Sequence, residues 1–71
     1  SMGELDTYPP FLTVPQVMEL TQLGRSQVYK LMEVWDATDG AEGIPFVRFG
    51  RCKRIPKAAL LALGSDFHAV A

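Results

Sequence analysis

The sequence predicts a small, mostly helical α+β domain: two short helices joined by a turn, then a two-stranded β-hairpin, then a short closing helix. Three observations point to it. Apolar residues recur at helical spacing through Val14, Val17 and Met18, and again through Val28, Leu31 and Met32, the period of a helix that buries one face. Val47, Arg48 and Phe49 alternate apolar and basic residues up to Gly50-Arg51, and Cys52 to Ile55 lead back toward Pro56, the pattern of a hairpin with a tight turn. After that proline, Leu60, Leu61 and Leu63 supply an apolar face for a last helix.

Residues 1–10 end in Tyr8-Pro9-Pro10 and read as an extended leader, with Ser1 ahead of Met2 as an appended scar that is left out of fold reasoning. Thr13 then offers a hydroxyl at N-cap, Pro15 sits in a first turn where its missing N–H does no harm, and Gln16 falls at N3, so the first helix starts here and runs to about residue 22. Val14, Val17, Met18 and Leu20 or Thr21 form its buried side. Leu23 anchors the turn in the core and Gly24 caps the next helix, which covers about 25–34 with Val28, Leu31 and Met32 or Trp35 facing inward. Residues 36–43 hold two glycines, three acids and no bulky apolar side chain, and read as a loop. Strands follow over 44–49 and 52–55, with Pro56 in the first turn of a helix over 57–63 and Gly64 as its C-cap. The chain thus divides into a leader (1–10), a folded domain (11–63) and a tail (64–71).

A chain of 71 residues has room for one domain, and 48% hydrophobic with 21% charged residues is an ordinary globular composition. Cys52 is the lone cysteine and His68 the lone histidine, which excludes an intrachain disulfide and a four-ligand zinc site. No apolar run approaches the roughly 18 residues of a membrane span, and no secretion signal is visible, so the chain is expected to be soluble and cytoplasmic. Its net charge of −1 hides a polarity. Residues 1–24 carry Glu4, Asp6 and Glu19 and no cation, whereas residues 25–57 carry all seven cations against four acids. Arg48, Arg51, Lys53, Arg54 and Lys57 fall within ten residues that contain no acid. A helix opening with polar donors, Arg25-Ser26-Gln27, followed by a basic hairpin points to a reader of DNA with one cationic face.

The residues carry a family resemblance as well. Phe11-Leu12-Thr13-Val14-Pro15-Gln16-Val17, then Arg25-Ser26-Gln27-Val28-Tyr29-Lys30-Leu31, then the stretch from Ile44-Pro45-Phe46-Val47-Arg48-Phe49-Gly50 through Ala58-Ala59-Leu60 resemble the opening segment, recognition helix, and wing with closing helix of the excisionase family. That resemblance implies a winged helix-turn-helix DNA-binding domain, a compact relative of MerR-type domains, over most of residues 11–63. Two departures stand out: Gln22 occupies the inter-helix turn where the family commonly has glycine, which would alter the helix crossing, and the connection over residues 34–43 is several residues longer than usual.

In such a domain the start of the second helix meets base edges in the major groove while flanking groups hold phosphates. Arg25, Ser26, Gln27 and Lys30 are the base-facing candidates, and Tyr29 either donates its hydroxyl to a phosphate or packs as an amphipathic core residue. Arg48, Gly50, Arg51, Lys53 and Arg54 are the wing candidates, with Arg51 nearest the tip. Their alternatives are ordinary ones: Lys53 as a charge protecting an edge strand, Arg48 and Arg54 as braces of the hairpin. Thr13 and the first helix's start can meet a phosphate, although capping alone explains Thr13. Phe46, Phe49, Trp35 and Met18 are assigned to the core rather than to a stacking platform, and Phe11 to a local lid near Tyr8.

Catalysis finds no constellation: His68 lies in the tail, Ser26 and Ser65 lack a base partner, and no phosphate loop, cofactor motif or metal-ligand spacing appears. The resemblance implies a non-enzymatic recombination directionality factor that binds tandem double-stranded DNA sites cooperatively, copy against copy, bends them, and directs a phage-type integrase toward excision. A small transcriptional regulator would use the same fold on a promoter. A protein-interaction adaptor, binding through the acidic loop, Trp35 and the tail, is the reading without DNA.

Overall fold

The computed structural model describes residues 7–70, with side chains through Gly64; the expected scar and most of the leader lie outside the described residues, as do Ala71 and the side chain of His68. Helix α1 (Val14–Thr21) begins at the capping box expected from Thr13 and Gln16. The Gln16 N–H donates to Thr13 Oγ1 at 3.3 Å and the Thr13 N–H donates to Gln16 Oε1 at 3.0 Å. Val14 and Val17 are buried, with Met18 and Leu20 packed beside them. The helix stops because Gln22 turns left-handed, at φ 62°, while its N–H donates to Met18 O and its side-chain amide to Glu19 O, both at 2.8 Å. A glutamine therefore performs the turn usually given to glycine, at the cost of a left-handed backbone.

Helix α2 (Arg25–Ala37) starts at Gly24 as expected but runs three residues beyond the expected Val34. Nothing between Val34 and Ala37 breaks a helix. It ends where Asp39 adopts φ 54°, the Gly40 N–H reaches back to Trp35 O at 2.9 Å and the Asp39 N–H to Asp36 O at 3.4 Å, the paired bonds of a Schellman motif. Val28 and Met32 are its buried residues, Leu31 packs at their margin, and Trp35 is half-buried.

The acidic loop is bound to this helix rather than free in solvent. Thr38 Oγ1 donates to Val34 O at 2.7 Å and accepts from the Glu42 N–H at 3.0 Å, and the Ile44 N–H donates to Leu31 O at 3.0 Å. Gly43, at φ 93°, crosses the helix so closely that a Cβ there would stand 2.2 Å from Leu31 O and 2.6 Å from Trp35 N. That crossing delivers Ile44 to the core and also explains why the expected strand over 44–49 is shorter. Ile44 spends its N–H on the helix and Pro45 has none to give, so pairing begins only at Val47.

Strands β2 (Val47–Phe49) and β3 (Cys52–Pro56) form the hairpin, with Phe49 opposite Cys52 and Gly50-Arg51 between them. Gly50 has φ 63°, the positive φ that a two-residue hairpin turn requires of its first central residue. A strand that the sequence pattern did not indicate, β1 (Phe11–Leu12), pairs antiparallel with the far end of β3, Leu12 opposite Ile55, giving the sheet order β1–β3–β2. Pro56 consequently closes a strand rather than opening a helix. Helix α3 (Lys57–Val70) follows it, and the Lys57 N–H donates to Pro10 O at 2.8 Å. The expected stop at Gly64 is not observed: the helix continues through it, since one glycine in a helix costs only about 1 kcal/mol and no breaker follows. Leu60 packs on the core, but Leu61 and Leu63 stay exposed, because α3 meets the body only where it leaves β3.

The result is a small α+β fold of three helices and a three-stranded antiparallel sheet among the described residues, around Leu12, Val14, Val17, Val28, Met32, Ile44 and Ile55. No helix of the described residues is long and apolar enough to cross a membrane.

Two substitutions test this account by urea unfolding. Gly43→Ala combines a disfavoured φ with a clash against helix backbone and is expected to cost about 2–5 kcal/mol. Gln22→Gly relieves the left-handed strain and is expected to stabilise by about 0.5 kcal/mol, the gain being offset in part by the greater freedom of glycine in the unfolded chain.

Candidate nucleic-acid interface

The five clustered cations have different fates. Arg48 Nη2 pairs with Asp36 Oδ2 of α2 at 3.1 Å, and its guanidinium lies 5.0 Å from the Phe46 ring centre. Lys53, its cross-strand partner, holds Nζ 5.4 Å from the same ring. Two like charges face one another across a hairpin, an arrangement that destabilises unless screened; here an aromatic face and a carboxylate do the screening. Lys57 Nζ donates to Tyr8 O at 2.9 Å, and the Tyr8 hydroxyl donates to Glu19, so this cation ties the leader to the body. Arg54 lies along its own strand, Nη1 donating to Lys53 O at 2.9 Å, while Arg51 is exposed at the turn beside Gly50.

Residues far apart in sequence meet in one cleft of about 310 Å³, lined by Thr13, Val14 and Pro15 at the start of α1, Tyr29 of α2, and residues 51–54 of the hairpin. It forms because β1 covers only the Ile55 and Pro56 end of β3, leaving the edge of residues 52–54 open toward α1. Tyr29 also belongs to the outer face of α2, in a shallow groove with Arg25, Ser26, Lys30 and Glu33. At 43% exposure it is not the core residue that was one of its two readings. It joins the two surfaces, so that Arg25, Ser26, Tyr29, Lys30, Arg51, Lys53, Arg54 and Thr13 share one side of the molecule.

Four candidates are displaced from this surface or committed within the fold. Gln27 is exposed on α2 but absent from that groove; at about 100° per residue it lies well past Ser26, away from the hairpin. Arg48 is engaged with Asp36 as a brace, one of the two roles open to it. Gly50 shapes the turn. Thr13 lines the cleft, but its hydroxyl is committed to the Gln16 N–H, and Pro15 has no N–H, so this helix start offers few donors.

Two aromatic assignments, Phe49 and Phe11, need correction. Phe49 is 53% exposed and touches Phe11 edge to face, centroids 5.3 Å apart at 84°. Both lie on the sheet surface opposite the core, because strand alternation places Phe49 out of phase with Ile55. Phe11 is thus a strand residue against the hairpin rather than a lid over Tyr8. Phe46 keeps its core assignment, half-buried against the core cluster, and also serves as a platform for two cations. Sequence reasoning overlooked Glu33 within the α2 groove and Asp36 as the hairpin's anchor; the i, i+4 spacing of Tyr29 and Glu33 was the available signal for the first, and none existed for the second. No protein-family model, curated protein or solved structure matches this chain.

Because the side chains of Arg48 and Asp36 are 54% and 58% exposed, their pair is expected to show a coupling energy below about 1 kcal/mol. A double-mutant cycle of Arg48→Ala and Asp36→Ala, unfolded in urea at low and high salt, measures it, and the coupling should shrink as salt rises.

Proposed function

We propose that this chain is a winged helix-turn-helix module that binds double-stranded DNA, with α2 as recognition helix and the β2–β3 hairpin as wing. The observation that carries the reading is the shared side: the groove of Arg25, Ser26, Tyr29 and Lys30 runs through Tyr29 into the cleft of Arg51, Lys53 and Arg54. Arg25 and Lys30 are suited to guanine O6 and N7 in the major groove. Arg51, at an exposed turn, reaches phosphate or the adjacent minor groove, and Tyr29 between them suits a phosphate oxygen. Five cations on one side of a chain with net charge −1 give a modest, strongly salt-dependent affinity.

Within this reading the role is that of a recombination directionality factor. Its support is the family resemblance, together with a domain too small to wrap DNA alone. Several weakly bound copies on tandem sites offset a bending cost of about 1–6 kcal/mol and present a protein–DNA architecture to an integrase.

A mobility-shift titration on DNA flanking the gene and any neighbouring attachment site, at two salt concentrations, tests both levels. Stepwise cooperative shifts, lost in Arg25→Ala and Arg51→Ala and weakened by salt, are expected. One discrete promoter complex would replace the recombination role with a regulatory one. Absence of any shift at low salt would remove DNA as the ligand.

A further inference from the structure

Glu33 stands in the middle of the cationic side without a partner. It lines the α2 groove with Arg25, Ser26, Tyr29 and Lys30, and it also lines the next groove, between α2 and the hairpin, with Phe46 and Lys53. Asp36 is paired with Arg48 and Glu19 with Tyr8. Among the described residues the Glu33 carboxylate takes part in no hydrogen bond or ion pair, although Lys30 lies one turn before it on the same helix.

A carboxylate in this position repels phosphates, so on a surface that only gripped backbone it would weaken binding. Base edges treat it differently. A carboxylate only accepts hydrogen bonds. In the major groove guanine and thymine oppose it with acceptors, and adenine sets an N7 acceptor beside its amine. Cytosine alone presents an amine donor with no acceptor on its own base edge. Resting on the DNA-binding reading above, we infer that Glu33 is a specificity-determining residue that accepts a hydrogen bond from cytosine N4.

Its position on the helix sets where that cytosine lies. Glu33 follows Arg25 by eight residues on the same face, about 12 Å along the axis at ~1.5 Å per residue. With α2 lying along the groove and DNA rising ~3.4 Å per base pair, the cytosine falls roughly three to four base pairs from the base met by Arg25. The same charge keeps phosphates away from the second half of α2, holding the helix in one register.

The test is selection from a randomised duplex library by the full chain and by Glu33→Gln, Glu33→Ala and Glu42→Gln, each checked by its thermal melt. Glu33 is exposed, so all four proteins are expected to melt together. The unmodified chain should enrich a site with about a tenfold preference for cytosine at one position. Glu33→Ala should lose that preference and keep the rest of the site. Glu33→Gln should exchange it for adenine, whose N6 and N7 a glutamine can meet together. Glu42→Gln, on the loop away from both grooves, should select the original site. If both Glu33 variants still select the cytosine, the inference falls and the DNA reading stands. If the unmodified chain enriches no sequence, both fall.

Discussion

The pairing of Leu12 with Ile55 is the contact on which the rest of the structure depends. Both side chains are fully buried, and each belongs to a short strand that could not persist alone. Ile55 is the only fully buried residue of the hairpin strand. Through it the hairpin is fastened to α1 and α2, and through Leu12 the chain ahead of α1 is drawn into the same core. Burying two such aliphatic side chains contributes about 3–6 kcal/mol, a large part of what a domain of this size can have. With Ile55 held, strand alternation dictates the remainder: Lys53 stands on the α2 side of the sheet, whereas Arg54 and Cys52 alternate with it and border the cleft at the open strand edge.

Gly43 supplies the complementary restraint at the other end of the hairpin. Its crossing over α2, within reach of Leu31 O and Trp35 N, places Ile44 in the core and sets the point at which the chain enters β2. The Arg48–Asp36 pair then limits the swing of the hairpin against α2. Core burial at one end, a backbone crossing at the other and an exchangeable ion pair between them define the angle between helix face and hairpin. The cleft centred on Tyr29 exists because of that angle.

Electrostatics are arranged by the same constraints. Two of the five clustered cations serve the fold: Arg48 braces the hairpin and Lys57 holds the leader. Arg51, Lys53 and Arg54 remain at the cleft, and Arg25 and Lys30, from a segment some twenty residues earlier, line the groove that meets it at Tyr29. Local charge density in the sequence therefore overstated the hairpin's share of the cationic side and understated that of α2. Glu33, an acid inside the expected second helix that carried no reading of its own, is the feature this redistribution brings forward.

What the sequence by itself determined are the features written in short-range chemistry. The Thr13–Gln16 box, Gly24 ahead of α2, the Gly50-Arg51 turn and the apolar faces of the first two helices each depend on residues within one or two turns of one another, so propensity and spacing suffice to read them. Only the tertiary structure decided the rest. β1 is two residues long and has no pattern of its own until β3 lies beside it, and Pro56 ends a strand because Phe11 pairs with it. The exposure of Phe49 and the capture of Arg48 likewise depend on partners 38 and 12 residues away, and contacts at that separation are set by how the core closes, which no local period records.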